Sequence, residues 1–182
     1  MAAGNLKRNF MYFPVSKSAS TSIYNILYYR YGARIVGSNL FVHIIPDEYK
    51  DTFKFTVVRN PYERAVSIWQ QLTFNLPKRY NYPQFTNFIK FLQWLSTLKN
   101  RLAQVTWSTT KFLENIPIDK IIKLCDLETE FKLLPFYAGE QLDWPVLNKG
   151  KLINSNEHLT PQAKELIYRI FTEDFERFGY VK

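Results

Sequence analysis

Six residues near the middle of the chain, Phe53-Lys54-Phe55-Thr56-Val57-Val58, constrain its fold more than any other segment. They are apolar except for Lys54 and Thr56, and rich in aromatic and β-branched side chains. Such a short apolar run reads as a strand covered on both faces. Helix-start signals follow at once: Asn60 at the N-cap, Pro61 at the first helical position and Glu63 three residues after the cap, as in a capping box. Ala65, Val66, Trp69 and Leu72 then form an apolar helical stripe. A buried strand that feeds directly into a helix belongs to a sheet wrapped by helices, where ligands bind at the carboxyl ends of the strands.

The rest of the chain fits that plan. Residues 10–15 read as a second buried strand, 16–22 as a polar loop, and Ile23, Ile26 and Leu27 as one face of a helix ended by Gly32. A short strand is expected at 33–36. A polar, proline-containing stretch (77–83) leads to an aromatic-rich helix over about 84–98, which suggests a lid or a packed wall. Residues 119–124 read as another buried strand, 127–137 as a helix and 141–156 mostly as loop. Thr160 caps the last helix, Pro161 opens it and Gly179 ends it. The expected class is α/β, with a mostly parallel sheet flanked by helices in one domain over residues 1–182.

Composition narrows the function. The 24 Lys and Arg against 16 Asp and Glu give a net charge of +8, which favours anionic ligands. The basic residues are scattered, unlike those of a dense nucleic-acid patch. The single cysteine, Cys125, excludes an internal disulfide; among Ile121, Ile122 and Leu124 it is expected to be a buried structural thiol. No segment approaches the ~18 apolar residues of a membrane span. Lys7 and Arg8 before residues 10–13 loosely mimic a signal peptide, but Pro14, Ser16 and Lys17 break the run and no small-residue cleavage site follows. The chain is therefore expected in the cytoplasm, without signal peptide or anchor.

Two strand-to-helix junctions carry the chemistry. The first is Ser16-Lys17-Ser18-Ala19-Ser20-Thr21-Ser22. A helix N-terminus offers free backbone N–H groups and partial positive charge; Lys17 adds a full charge and the hydroxyls add donors. Alone, this loop is equally a Ser-rich capped turn. It is not a Walker A loop, since no glycine lies between Gly4 and Gly32. The second junction runs from Arg59 to Ser67. An arginine at the binding edge offers a fork of donors for a phosphate, with Ser67 two helical turns on. The plainer alternative pairs Arg59 with Glu63 and leaves Ser67 to packing. Two separate cradles suit a ligand phosphorylated at two distant points.

These residues resemble the carbohydrate sulfotransferases that use 3′-phosphoadenosine 5′-phosphosulfate (PAPS), the family of the heparan sulfate 2-O- and chondroitin 4-O-sulfotransferases. Lys17-Ser18-Ala19-Ser20-Thr21-Ser22 is similar to the family's 5′-phosphosulfate loop, commonly P-K-T-A-S-T-S, with Ser16 in place of the proline. The segment from Phe53 through Arg59 to Ser67 resembles its 3′-phosphate motif, and Glu173-Asp174-Phe175-Glu176-Arg177-Phe178-Gly179-Tyr180 its closing E-D-F-x-x-F-G-Y. Pro145-Val146-Leu147-Asn148-Lys149 is similar to a late loop that reaches the nucleotide, and His43 stands where the family often places a histidine.

The resemblance implies a P-loop-NTPase-like sulfotransferase fold and metal-independent, in-line transfer of a sulfuryl group from PAPS to a hydroxyl acceptor, a carbohydrate, leaving PAP. Lys17, Ser18, Ala19, Ser20, Thr21 and Ser22 would hold the 5′-phosphosulfate, Arg59 and Ser67 the 3′-phosphate with Lys149 assisting, and His43 would be the base, with Asp47 and Glu48 in reserve. No Cys/His or carboxylate spacing suggests a metal site. The segment 85–94 and the loop near Tyr80 are the expected acceptor contacts. The short chain points to a bacterial or phage relative. Two alternatives stand behind this reading. An inactive PAP-binding relative is disfavoured by the presence of Lys17, Arg59, Ser67 and a histidine. A nucleic-acid-binding module is disfavoured because most aromatics fall at apolar periodic positions.

Overall fold

The computed structural model describes residues 2–37, 45–75, 85–98, 104–142, 144 and 155–182. In chain order these form β1 (Ala2–Asn5), β2 (Phe10–Phe13), α1 (Ser20–Tyr31), β3 (Arg34–Val36), β4 (Phe53–Val58), α2 (Pro61–Gln70), α3 (Phe88–Thr97), α4 (Thr109–Phe112), β5 (Lys120–Lys123), α5 (Leu127–Phe131), α6 (Ser155–His158) and α7 (Pro161–Phe178). They gather into two compact units: residues 1–58 with 113–147, which hold the sheet, and residues 59–112 with 148–182, which are helical.

The sheet has the order β3-β1-β2-β4-β5. Its core is parallel, β2 to β4 to β5, while β1 runs antiparallel to both β2 and β3. The class is thus α/β, with a mixed sheet. Strand β4 is an interior strand between β2 and β5, and all of it beyond Phe53 is buried. Its two polar residues are satisfied locally: Lys54 Nζ donates to the carbonyls of Lys50 (2.5 Å) and Thr52 (2.7 Å), and Thr56 Oγ1 donates to Phe13 O at 2.7 Å. A buried lysine is tolerated because its donors are paired. The Asp119 carboxylate accepts from Lys54 N at 2.7 Å and so fixes the register of β5 on β4. Phe10, Tyr12, Phe55 and Val57 form one core with Ile23 and Leu27 of α1 and with Phe131 and Phe136. Gly32 takes the left-handed conformation (φ 63°) that ends α1, and its N–H returns to Leu27 O.

Glu140 ties the start of β2 to the end of α1. It accepts from Tyr31 Oη (3.0 Å), Arg8 Nη1 (3.2 Å) and Ala138 N (3.0 Å). Burial alone would raise this carboxyl, but the hydrogen bonds outweigh it and hold it below its ordinary range.

In the helical unit α2, α3 and α7 enclose Trp69, Phe88, Phe91, Leu92, Ile167, Phe171 and Phe175. The aromatics of α3 form a packed wall, with Phe88, Phe91 and Leu95 buried, and Trp69 Nε1 donates to Phe85 O at 2.7 Å. Tyr80, the other expected acceptor contact, lies outside the described residues.

Several expectations need correction. Strand β1 was not expected, because Ala2, Ala3 and Gly4 carry no strand-forming side chains; their smallness is what fits, since a Cβ on Gly4 would come within 2.5 Å of the Tyr49 ring. The helix expected at 84–98 begins at Phe88, because Asn87 caps it by accepting from Lys90 N at 3.0 Å. The helix expected at 127–137 stops at Phe131, since Pro135 cannot continue it. Strand β5 is an edge strand, so Ile121 is exposed instead of buried. Cys125 is also exposed: it sits in the turn after that edge strand and not in a core.

Candidate phosphate-binding site

The loop after β2 leaves the carboxyl end of the parallel core. Two of its residues take left-handed backbone conformations, Lys17 (φ 69°) and Ala19 (φ 55°). Neither is glycine, so the loop holds strain of about 1–3 kcal/mol per residue, of the kind that clusters at ligand clamps. Ala19 is the N-cap of α1, and no side chain among the described residues caps that helix. The Ser-capped turn that the sequence also allows would put a serine oxygen on the first-turn N–H groups, and none stands there among the described residues. The first-turn N–H groups of α1 have no side-chain acceptor among the described residues, and alternating backbone conformations of this type can form an anion-binding concavity. Ser18 is fully buried, and its Oγ makes no hydrogen bond among the described residues. Such an orphaned hydroxyl is costly unless a ligand completes it. Ser22 is buried, Lys17, Ala19 and Ser20 are half-buried, and Thr21 is exposed.

Strand β4 ends beside β2 at the same sheet edge, and the chain passes straight from Val58 into Arg59. Helix α2 begins as the sequence requires: Pro61 is at its first turn and the Asn60 side chain accepts from Tyr62 N at 2.9 Å. Glu63 does not complete the capping box. Its carboxylate instead accepts from Arg59 Nε at 3.0 Å. Glu63 and Ser67, four residues apart, share one face of α2, so Arg59 lies folded along the face that carries the half-buried Ser67.

The other candidates divide. His43 and Lys149 lie outside the described residues. Asp47 pairs with Lys50 at 2.7 Å, and both Asp47 and Glu48 are exposed in a short turn. His158, the other histidine of the chain, is half-buried. Its ring meets Trp69 edge-on at 4.9 Å, because it ends the helical turn α6, which packs on α2. Among the described residues no three His, Cys, Asp or Glu side chains gather as a metal site would require.

Sequence reasoning missed one buried cluster, although both of its partners lie in segments it had singled out. Arg64, on α2, and Asp174, on α7, each leave 2% of the side chain exposed. Asp174 accepts from the backbone N–H groups of Thr109 (2.8 Å) and Thr110 (2.7 Å), which caps α4 from a distant helix. Arg64 Nη2 donates to Trp107 O at 2.8 Å, and its guanidinium lies 5.6 Å from the Phe171 ring centre.

The chain is an α/β protein with a parallel-cored sheet, and two strands of that core run into the segments singled out as candidates, β2 into the loop 16–19 and β4 into Arg59 and α2. The family model described as the sulfotransferase family matches residues 5–181, and the chain belongs to that family. Comparison with curated proteins and with solved structures returned no match. Family membership makes sulfuryl transfer the general chemistry of this fold. No helix among the described residues is long and apolar enough to cross a membrane.

Proposed function

We propose that this protein transfers the sulfuryl group of PAPS to a carbohydrate hydroxyl. The observation that carries the reading is the loop before α1, where, among the described residues, no side chain caps the helix and the buried Ser18 hydroxyl has no hydrogen-bond partner. In this reading residues 17–22 hold the 5′-phosphosulfate, Arg59 and Ser67 hold the 3′-phosphate, and Lys149 assists. The acceptor oxygen attacks sulfur as the bond from sulfur to the 5′-phosphate oxygen breaks. That oxygen keeps the electron pair, and the growing negative charge is met by Lys17 and by the α1 N–H groups. The acceptor proton passes to His43. The transfer takes place within one functional domain made by residues 1–182, in the cytoplasm.

A thermal-shift comparison tests the donor. PAP at ~100 times its dissociation constant is expected to stabilise the protein by about 2.7 kcal/mol, with ATP giving far less. Equal shifts for the two nucleotides overturn the assignment. The Arg59 role has its own test. Arg59→Ala is expected to weaken PAP about 10- to 100-fold, the worth of one charge-assisted contact, and to leave adenosine 5′-phosphosulfate, which lacks the 3′-phosphate, almost unchanged. If both ligands weaken alike, Arg59 serves Glu63 and the helix start instead.

The base is tested by pH–rate profiles. An imidazole base gives an acidic limb near its ordinary pKa of about 6.5, and that limb disappears with most of the activity in His43→Ala. An active His43→Ala beside an inactive Glu48→Gln assigns the role to the carboxylate.

A further inference from the structure

The end of the sheet unit farthest from the loop 16–19 has a surface that sulfuryl transfer does not use. Residues 1–46 contain Lys7, Arg8, Lys17, Arg30 and Arg34 and no Asp or Glu, so this quarter of the chain carries five cations and no anion. Four of the most exposed large apolar side chains among the described residues lie in the same segment: Tyr29 (77% exposed), Ile35 (51%), Leu6 (49%) and Tyr28 (38%).

The fold brings these residues together. Helix α1 starts at the loop and runs back about 18 Å along its axis, so Tyr28, Tyr29 and Arg30 sit at its far end. The turn 6–9 enters β2 at that same end, opposite the edge where the chain leaves β2 for the loop. Asn5 Nδ2 donates to Tyr31 O at 2.8 Å and to Gly32 O at 3.1 Å, which binds the turn to the helix end. Strand β3 is the outer strand and places Arg34 opposite Gly4. The Arg34 guanidinium lies 5.7 Å from the Tyr28 ring centre, and Tyr28 meets Tyr24 at 6.0 Å and Tyr29 at 5.0 Å. Carboxylates lie at the margin: Glu140 is engaged by Arg8 and Tyr31, while the exposed Asp47, Glu48 and Asp51 belong to the turn that packs on Gly4 and Asn9, where Asp47 pairs with Lys50. Lys7, Arg30 and Arg34 form no ion pair among the described residues.

We propose that this face, formed by Leu6, Lys7, Tyr28, Tyr29, Arg30, Arg34 and Ile35, docks the protein on the surface of an anionic lipid bilayer. Exposed tyrosines and aliphatic groups among cations, with the carboxylates kept to their margin, match both layers of such a surface: apolar groups enter the headgroup boundary and cations meet the lipid charge. A polyanion such as single-stranded nucleic acid uses the arginines and the ring faces and has no use for Leu6 or Ile35. Docking here points the loop 16–19, at the other end of α1, away from the bilayer.

Co-sedimentation of the full chain with vesicles is the test, comparing phosphatidylcholine mixed with phosphatidylglycerol against phosphatidylcholine alone. Binding is expected only to the anionic vesicles and to fall with added salt. The double variant R30E/R34E is expected to weaken it at least about tenfold, at ~1 kcal/mol per cation near the surface. Tyr29→Ser with Ile35→Ser is expected to weaken it several-fold with charge unchanged, and the melting temperature of each variant is expected to stay near wild type. Equal binding to both vesicle types overturns the proposal, as does R30E/R34E binding like wild type. If the charge reversal removes binding but the Tyr29 and Ile35 changes do not, the face is a general polyanion site and the bilayer assignment fails.

Discussion

Lys17→Ala is expected to lower turnover at least about 10²-fold while leaving the melting temperature close to that of the wild type. Lys17 is half-buried in the strained loop that leads to the uncapped start of α1. Lysine and alanine bear the same penalty at φ 69°, so the substitution leaves the backbone cost in place and removes charge. Charge placed where the leaving phosphate gains its electron pair acts more strongly in the transition state than in the ground state. The loss therefore falls mainly on kcat, with a smaller effect on KM.

A companion variant separates catalysis from strain. Lys17→Gly relieves the left-handed conformation and is expected to raise stability by about 1 kcal/mol, yet to be as inactive as Lys17→Ala. Near-normal turnover in a well-folded Lys17→Ala protein removes Lys17 from the mechanism. A drop in melting temperature equal in both variants makes its role structural.

Much of the fold around these segments was legible because its signals are local. Asn60 and Pro61 announce the start of α2, and the cap forms as they require. Gly179 announces the end of α7 and takes φ 61° there. The apolar run 53–58 became a buried interior strand. Where the reading failed, position in the sheet had overridden pattern. Strand β1 is built of small residues because Tyr49 crosses Gly4, a contact that no window of sequence displays. The Ile121 and Cys125 segment looked buried because its side chains are apolar, but a strand at the sheet edge is covered on fewer sides. Pro135 was a visible stop signal that the apolar periodicity of 127–137 obscured. At Glu63 the capping-box spacing and an Arg59 ion pair compete for one carboxylate, and the pair wins.

Asp174→Ala is expected to destabilise the protein by about 3–5 kcal/mol, the largest stability loss predicted for any single substitution here. The carboxylate is buried and does two jobs. It accepts the first N–H groups of α4 from Thr109 and Thr110, and it faces the buried Arg64 guanidinium, with Nη1 3.9 Å away. At 3.9 Å the ion pair is the looser of these contacts, so the backbone hydrogen bonds make the larger contribution. The neighbouring residues of the closing motif reinforce the same junction: Thr110 Oγ1 donates to Glu173 O at 3.2 Å, and Arg177 Nη1 donates to Thr110 O at 3.2 Å. Truncation to alanine orphans two buried donors and leaves Arg64 facing a void. Against a total stability of about 5–15 kcal/mol this is a large fraction, and the melting temperature is expected to fall by about 6–20 °C. The variants should rank in a definite order. Asp174→Asn retains an acceptor for one N–H and is expected to lose less than alanine. Arg64→Met leaves both Asp174 hydrogen bonds intact and is expected to lose less again. Denaturant melts of the three variants check the order, and an Arg64→Met loss equal to that of Asp174→Ala would move the weight from the α4 cap to the ion pair.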